Sequence, residues 1–405
     1  MSTTYRVDVA SIDRARFKVV EEGGEILVIP LKDNYRWEDD ELHLRSLVLD
    51  ARGVVVSAGF PKFFNYGERP DHDRSLAEAM NRGAVSFPEK LDGSLLVADR
   101  IDGHARLRTR GRRVLGEFAA EVEALIALRY PRLTEFLRRD PLLDEHSLLF
   151  EFVSPSRAVV LRYEEPRMYL LGAVSKRTLQ PTWQHAMLNH IAVSTGIAGA
   201  VVHPLPADLD EALAHVRGWK GVEGVVARFH TADGTPRLLK IKTADYLRLH
   251  AYRTRLGGTR SLKIAWLLDM RDASEIFPHL ARHGLDWEAS EFARAEVEPY
   301  LDRRREALAR FEAIREITAP WTGDKSLKKS YVERVRALMQ SDPRFAEPWW
   351  FTVAVKLFDG APEEAELVVD AAVLGEHPPT LRAWRANADE ELRAVLTAPV
   401  REDDG

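Results

Sequence analysis

Between about residues 24 and 250 the apolar residues fall in short β-branched runs closed by Gly, Asp and Pro, a pattern of strands joined by turns. The runs at 26–30, 53–57, 94–101, 104–109, 147–152, 158–163, 168–174, 222–229 and 237–242 read as strands. Asp102-Gly103, between two of them, is the dipeptide of a type I′ hairpin. Residues 114–137 carry apolar positions at helical spacing, broken at Tyr130-Pro131, which predicts two helices crossing the sheet. After Gly257-Gly258 the pattern changes to amphipathic helices, such as 291–315 and 380–396. The chain therefore reads as an α+β domain over 1–255 and an all-α domain over 256–405.

A length of 405 residues allows both domains a proper core. With 45% hydrophobic and 30% charged residues, the composition is that of a globular protein. The absence of cysteine excludes disulfides, thiolate metal sites and cysteine nucleophiles. No signal-peptide core opens the sequence and no run approaches the ~20 apolar residues of a membrane span, so a cytoplasmic protein is expected. The net charge of −5 argues against a uniformly basic coat protein, so basic patches have to be read locally. The densest is Arg106 to Arg113, followed by Arg303-Arg304-Arg305 and by Lys325, Lys328 and Lys329 with Arg334 and Arg336. Solvated helix faces are the plainer reading of the last two.

Candidate chemistry starts at Glu89-Lys90-Leu91-Asp92-Gly93-Ser94, where a loop can present a lysine while glycine lets backbone approach a phosphate. On its own this is more often the signature of a surface turn. Its companions change that. Asp50-Ala51-Arg52-Gly53 and the cation–aromatic run Lys62-Phe63-Phe64-Asn65 precede it. Glu151 sits at the end of an apolar strand run and Glu223 at the start of another, and buried carboxylates seldom lack a cation or metal. Lys240 and Lys242 alternate on a strand whose other face carries Leu239 and Ile241, so both ammonium groups leave the same sheet face. Lysines, an arginine and two strand-borne glutamates describe a site for a polyphosphate with its divalent metal. A Walker loop, a GxGxxG turn and an HExxH helix are all missing from the sequence.

Taken in order, these segments resemble the lysine-dependent nucleotidyltransferases, the superfamily of ATP-dependent DNA and RNA ligases and mRNA capping enzymes, and within it the phage RNA ligase 1 type. The Lys90 segment resembles motif I, Glu151 motif III, Tyr169 the aromatic of motif IIIa, Glu223 motif IV, and Lys240 with Lys242 motif V. The likeness covers roughly residues 30–255, and Thr109-Arg110-Gly111 departs from it by placing arginine where the ligase pattern has lysine.

That resemblance implies an adenylyltransferase domain of antiparallel sheets, ATP and magnesium or manganese as cofactors, and RNA with 5′-phosphate and 3′-OH ends as partner. It further implies a lysine–AMP intermediate on Lys90 and transfer of AMP to the 5′ end before sealing. Lys240 and Lys242 would favour the neutral amine and hold the α-phosphate, Asp92 would orient the nucleophile or meet the ribose, and Glu151 and Glu223 would bind the metal. Arg52 and Lys62 are candidates for the outer phosphates, Tyr169 for stacking on adenine, and Tyr35 for a further nucleotide contact. Capping enzymes and DNA ligases share the motifs but normally continue into a β-rich OB module, whereas helices follow here. A pseudoenzyme that only binds nucleotide or RNA is the rival of another class. The helical domain is expected to read RNA, and its Trp349-Trp350-Phe351 run to be core rather than a stacking platform.

Overall fold

The computed structural model describes residues 5–31, 36–157, 160–283, 285 and 287–397. They form two compact units, 1–247 and 248–405.

The first unit is α+β. Its opening antiparallel sheet is β1 (Phe17–Glu22), β2 (Glu25–Pro30), β3 (Leu47–Asp50) and β4 (Val55–Ala58), in that order. Three two-residue strands follow: β5 (Phe64–Asn65), β6 (Val85–Ser86) and β7 (Glu89–Lys90). Next come β8 (Ser94–Ile101), β9 (His104–Thr109), β10 (His146–Val153), β11 (Arg167–Ser175) and β12 (Pro181–Thr182), arranged as a second antiparallel sheet in the order β12-β11-β10-β8-β9. Finally β13 (Gly224–His230) and β14 (Pro236–Lys242) gather the short strands into a third sheet, β5-β14-β13-β6, with β7 also on β13. Among the described strands, β5 runs parallel to its neighbour and the other strand pairs are antiparallel.

The second sheet is covered on both faces, so β10 reads as a nearly unbroken apolar run. Leu148, Phe150 and Phe152 pack in one core with residues of the helices Ala119–Arg129, Leu133–Arg139 and His185–Thr195. Leu149 points the other way, into a core shared with Leu239 and Ile241 of β14. Glu151 follows Leu149 by two and so leaves β10 on that second face. A bulge leaves Leu171 of β11 without a register partner. Its carbonyl accepts from Arg228 of β13 at 2.6 Å, which pins the second sheet to the third. The first sheet is joined to the second by a buried polar knot. Arg108 on β9 donates to Ser57 at 2.7 Å and to Ser46 at 2.8 Å, while Asp99 holds Ser147 at 2.6 Å and Lys176 at 3.1 Å.

Both helices foreseen around Tyr130-Pro131 are present, and Asp102 and Gly103 have the positive φ values, 50° and 78°, of a type I′ turn. The strand Leu47–Asp50 and several two-residue strands have no counterpart in the sequence pattern, and other details differ. Residues 160–163 of the run at 158–163 are irregular, because Asp92 captures two of their amides, and 158 and 159 lie outside the described residues. The strand β1 lacked a legible signal because Lys18, Glu21 and Glu22 interrupt its apolar positions. The pattern at 380–396 is two helices, Pro378–Ala386 and Ala388–Thr397, rather than one.

The second unit is helical, with two cores. Arg304 is internal, bonded to Asp370 at 2.8 Å and Asp269 at 3.0 Å, and Trp266 also donates to Asp370. The Arg303-Arg304-Arg305 run therefore supplies no triad of surface cations. Trp350 is fully buried, with Trp349 and Phe351 packed partly against the same core. Among the described residues, no helix is long and apolar enough to cross a membrane.

Removing the cation from a buried pair strands its carboxylate, at a cost of about 3–5 kcal/mol. Lys176→Met is expected to lower the unfolding free energy of the first unit by that amount in urea titrations. Lys328→Met, which breaks an exposed pair with Asp359 at 3.3 Å, should change stability by under about 1 kcal/mol.

Candidate active site

Three adjacent strands bring the lysines together. Gly224 on β13 pairs with Lys90 of β7 on one side and Lys242 of β14 on the other. A side chain at Gly224, where φ is +146°, would drive a Cβ to 2.1 Å from the Ile241 carbonyl, so only glycine keeps these strands in register. Glu223, immediately before it, is 3% exposed and bridges both cations. Its Oε2 lies 2.8 Å from Lys90 Nζ and its Oε1 3.7 Å from Lys242 Nζ.

Lys240 shares the sheet face of Lys242, and its ammonium sits 5.1 Å from the centroid of Phe63. Lys62 is likewise buried, 5.5 Å from Phe64 and 5.8 Å from Trp37. The alternation of cation and aromatic in the Lys62 run thus gives each ammonium a ring face to lie on, as cation–π geometry favours. Because β5 is hydrogen-bonded beside β14, Asn65 stands opposite Lys240.

Asp92 is buried and fully engaged. Its Oδ2 accepts from the backbone amides of Val160 at 2.6 Å and Leu161 at 2.7 Å, and its Oδ1 accepts from the Tyr246 hydroxyl at 2.8 Å. The Asp92 amide in turn donates to the Tyr163 hydroxyl at 2.9 Å. These bonds fix the loop after Lys90 and make Asp92 an anchor for it. Gly93 passes so close to β10 that a Cβ would meet the Phe152 carbonyl at 2.4 Å. Tyr246, whose ring also lies 5.3 Å from Lys242 Nζ, was not singled out as a site residue. In sequence it closes the Lys240–Lys242 segment and opens a 246–250 run that also resembles the ligase branch, but its partner Asp92 is 154 residues away.

Glu151 completes the group from the second sheet. Burial pushes its carboxyl up to about 8. Lys90 and the Gly93 amide oppose that shift, while the charges of Glu223 and Asp92 add to it. Tyr169 stands directly opposite Glu151 on β11, half-buried on the same face. Of the other candidates, Arg52 is not brought in: it lies exposed on the β3–β4 turn with its guanidinium on Asp50 at 3.0 Å. A turn arginine beside an aspartate finds that local partner first. Tyr35 lies outside the described residues.

The arrangement is a primary amine against a buried carboxylate, with further lysines on the same sheet face and a proton-holding carboxyl opposite. It suits attack on a phosphorus centre whose charge the lysines bear.

Comparison with known proteins gives an independent line. A family model described as RNA ligase matches residues 43–247. A Thermovibrio ammonificans protein carrying an inferred RNA ligase name is 28% identical over 272 residues, which is 64% of this chain and 67% of that one. Among solved structures, an archaeal ATP-dependent RNA ligase is 17% identical with a TM-score of 0.41, covering 81% of this chain and 84% of its own. A DNA ligase-like protein of Aquifex aeolicus is 13% identical with a TM-score of 0.41, over 71% and 70% of the two chains.

A glutamate whose folded value lies above its unfolded one contributes stability that is fully present below about pH 4 and is lost as pH rises through about 8. In metal-free buffer the first unit is therefore expected to lose stability, relative to Glu151→Gln, between pH 5 and pH 8. Urea midpoints of the two proteins that stay parallel across this range would show that Glu151 is not the titrating group.

Proposed function

Since the chain belongs to the RNA ligase family, we propose that it seals RNA strands with ATP through a covalent adduct on Lys90. The observation that carries this reading is the Lys90–Glu223–Lys242 bridge across Gly224, with Lys240 on the same face. Lys90 Nζ attacks the α-phosphorus of ATP; an N–P bond forms and the bond to pyrophosphate breaks. The proton that Nζ sheds has Glu223 Oε2 within 2.8 Å to receive it. Lys240 and Lys242 hold the α-phosphate oxygens, and Lys62, beside Lys240 through its aromatic neighbours, meets the outer phosphates. AMP then passes to an RNA 5′-phosphate, and a 3′-OH displaces it to form the phosphodiester.

Glu151 and Glu223 suit a divalent cation. Burial pushes the Glu151 carboxyl up to about 8 and the charge of Glu223 adds to the shift, so a cation taken up between the two would relieve both the burial of charge and the repulsion. Among the described residues no group of three or more such ligands forms, so the remaining positions would go to phosphate oxygens and water, as magnesium prefers. When bound, the cation supplies charge neutralisation at the leaving phosphates. Tyr169, opposite Glu151, is placed to face the nucleotide. Asp92 and Tyr246 position Lys90 and do not touch the reacting atoms. Residues 256–405 are the RNA-reading part of the chain and take no part in forming the adduct.

Incubation with α-labelled ATP and magnesium, followed by a denaturing gel, is expected to leave label on the protein and none on Lys90→Ala. Lys240→Ala and Lys242→Ala should block the same step, while Arg52→Ala should label as the parent does. Tyr246→Phe removes one hydrogen bond to a buried carboxylate and should slow labelling roughly 10- to 100-fold. A Lys90→Ala protein that labels normally would remove the nucleophile assignment. Sealing of all-DNA nicks as fast as RNA would remove the RNA assignment.

A further inference from the structure

The helical unit has an open pocket of about 250 Å³ on the flank of the helix Lys328–Ser341, against the end of the helix Trp287–Thr318. Ile317, Trp321, Val335 and Leu338 give it apolar walls, Tyr331 lies at its buried side and Arg334 at its rim. Ile317 is 38% exposed there, and Trp321 is only partly covered. We propose that this pocket takes one unstacked nucleobase of the RNA strand, a proposal that rests on the RNA-sealing function above.

Size selects the occupant first. Pockets that hold whole drug-sized ligands run from roughly 300 to 1,000 Å³, so this one suits a single ring system with the sugar and phosphate left outside. Chemistry selects it next. The Arg334 guanidinium lies 5.6 Å from the Trp321 ring, the pairing of cation and aromatic on which bases stack without regard to sequence.

Charge around the pocket agrees. The helix Lys328–Ser341 carries Lys328, Lys329, Arg334 and Arg336 against one carboxylate, Glu333. Lys328 is paired to Asp359, but among the described residues Lys325, Lys329, Arg334 and Arg336 have no carboxylate within ion-pair distance. Arg310, Arg315 and Arg344, close by in sequence, each have one. Among the cations without one, Arg334 stands at the pocket rim, where its charge complements a phosphate whose base is turned inward, while Arg336 lies over Phe351.

The test uses the full-length protein, a 5′-phosphorylated single-stranded RNA oligomer, and the same oligomer made abasic throughout. Affinities are read by fluorescence anisotropy for the parent, Trp321→Ala and Ile317→Glu, the latter at an exposed position that folding tolerates. Trp321→Ala is expected to weaken the intact oligomer by about ten-fold, the loss typical of one base–aromatic stack, and to leave the abasic oligomer unchanged. Ile317→Glu should weaken the intact oligomer at least as much. Equal effects on both oligomers, or none on either, would overturn the base pocket. So would a change in sedimentation on substitution with RNA affinity intact, which would assign the surface to a second copy of the chain. Lysine labelling with ATP is followed in parallel. Normal labelling with unaltered RNA affinity in the variants overturns the pocket alone, whereas a parent that neither labels nor binds RNA overturns the ligase function itself.

Discussion

A carboxylate that is 3% exposed cannot stand without cations, and Glu223 is where the first unit's architecture meets that demand. It sits at the start of β13 with β7 on one flank and β14 on the other, and each flank delivers one lysine. Two residues of β7 would be a poor strand in isolation. Their place is fixed by the register with Gly224 and Val225 and by the ion pair that the register permits. The glycine is part of the same constraint, since any side chain there would part the strands that carry the lysines. Fold and site are here one set of contacts.

Around that pair the protein uses buried charge for two separate ends. At Glu151, burial first and the charge of Glu223 after it push the carboxyl up, an arrangement that a cationic ligand can exploit. At Asp99 with Lys176 and at Asp370 with Arg304, each carboxylate has a cation and a further donor. The difference lies in satisfaction rather than in residue type. A buried ionic knot whose cation and carboxylate are paired at fixed positions serves to align sheets or helices.

Much of this was legible before any coordinates. The two-residue alternation of Lys240 and Lys242 against Leu239 and Ile241 is a statement about sheet faces, and the structure has Leu239 and Ile241 in the core. Glu151 and Glu223 were visible as carboxylates set in apolar runs. What escaped has one cause: the deciding partner is remote in sequence. Nothing local to Asp92 says that its oxygens belong to Val160, Leu161 and Tyr246. Nothing local to 158–163 says that those amides leave the strand pattern to meet it. Arg52 misled in the opposite sense, because a neighbour two residues away already held it. In Arg303-Arg304-Arg305 only the middle residue faces inward, a distinction that needs the packing of the whole helix rather than a count of charges.

The spacing of the site's contacts along the chain also sets a schedule. Phe64 and Asn65 pair with Leu239 and Lys240, Lys90 with Gly224, and Asp92 with Tyr246, so the contacts that bring the Lys62 run and Lys90 to β13 and β14 each close a loop of well over a hundred residues. Such non-local pairings form late and slowly compared with helices or hairpins. On the ribosome, the hairpin β8–β9 and the first sheet can form as soon as they emerge, but the surroundings of Lys90 cannot exist until residue 246 has cleared the exit tunnel. A nascent or prematurely terminated chain would thus present a folded edge with no working centre, and competence arrives all at once with the last strand of the unit.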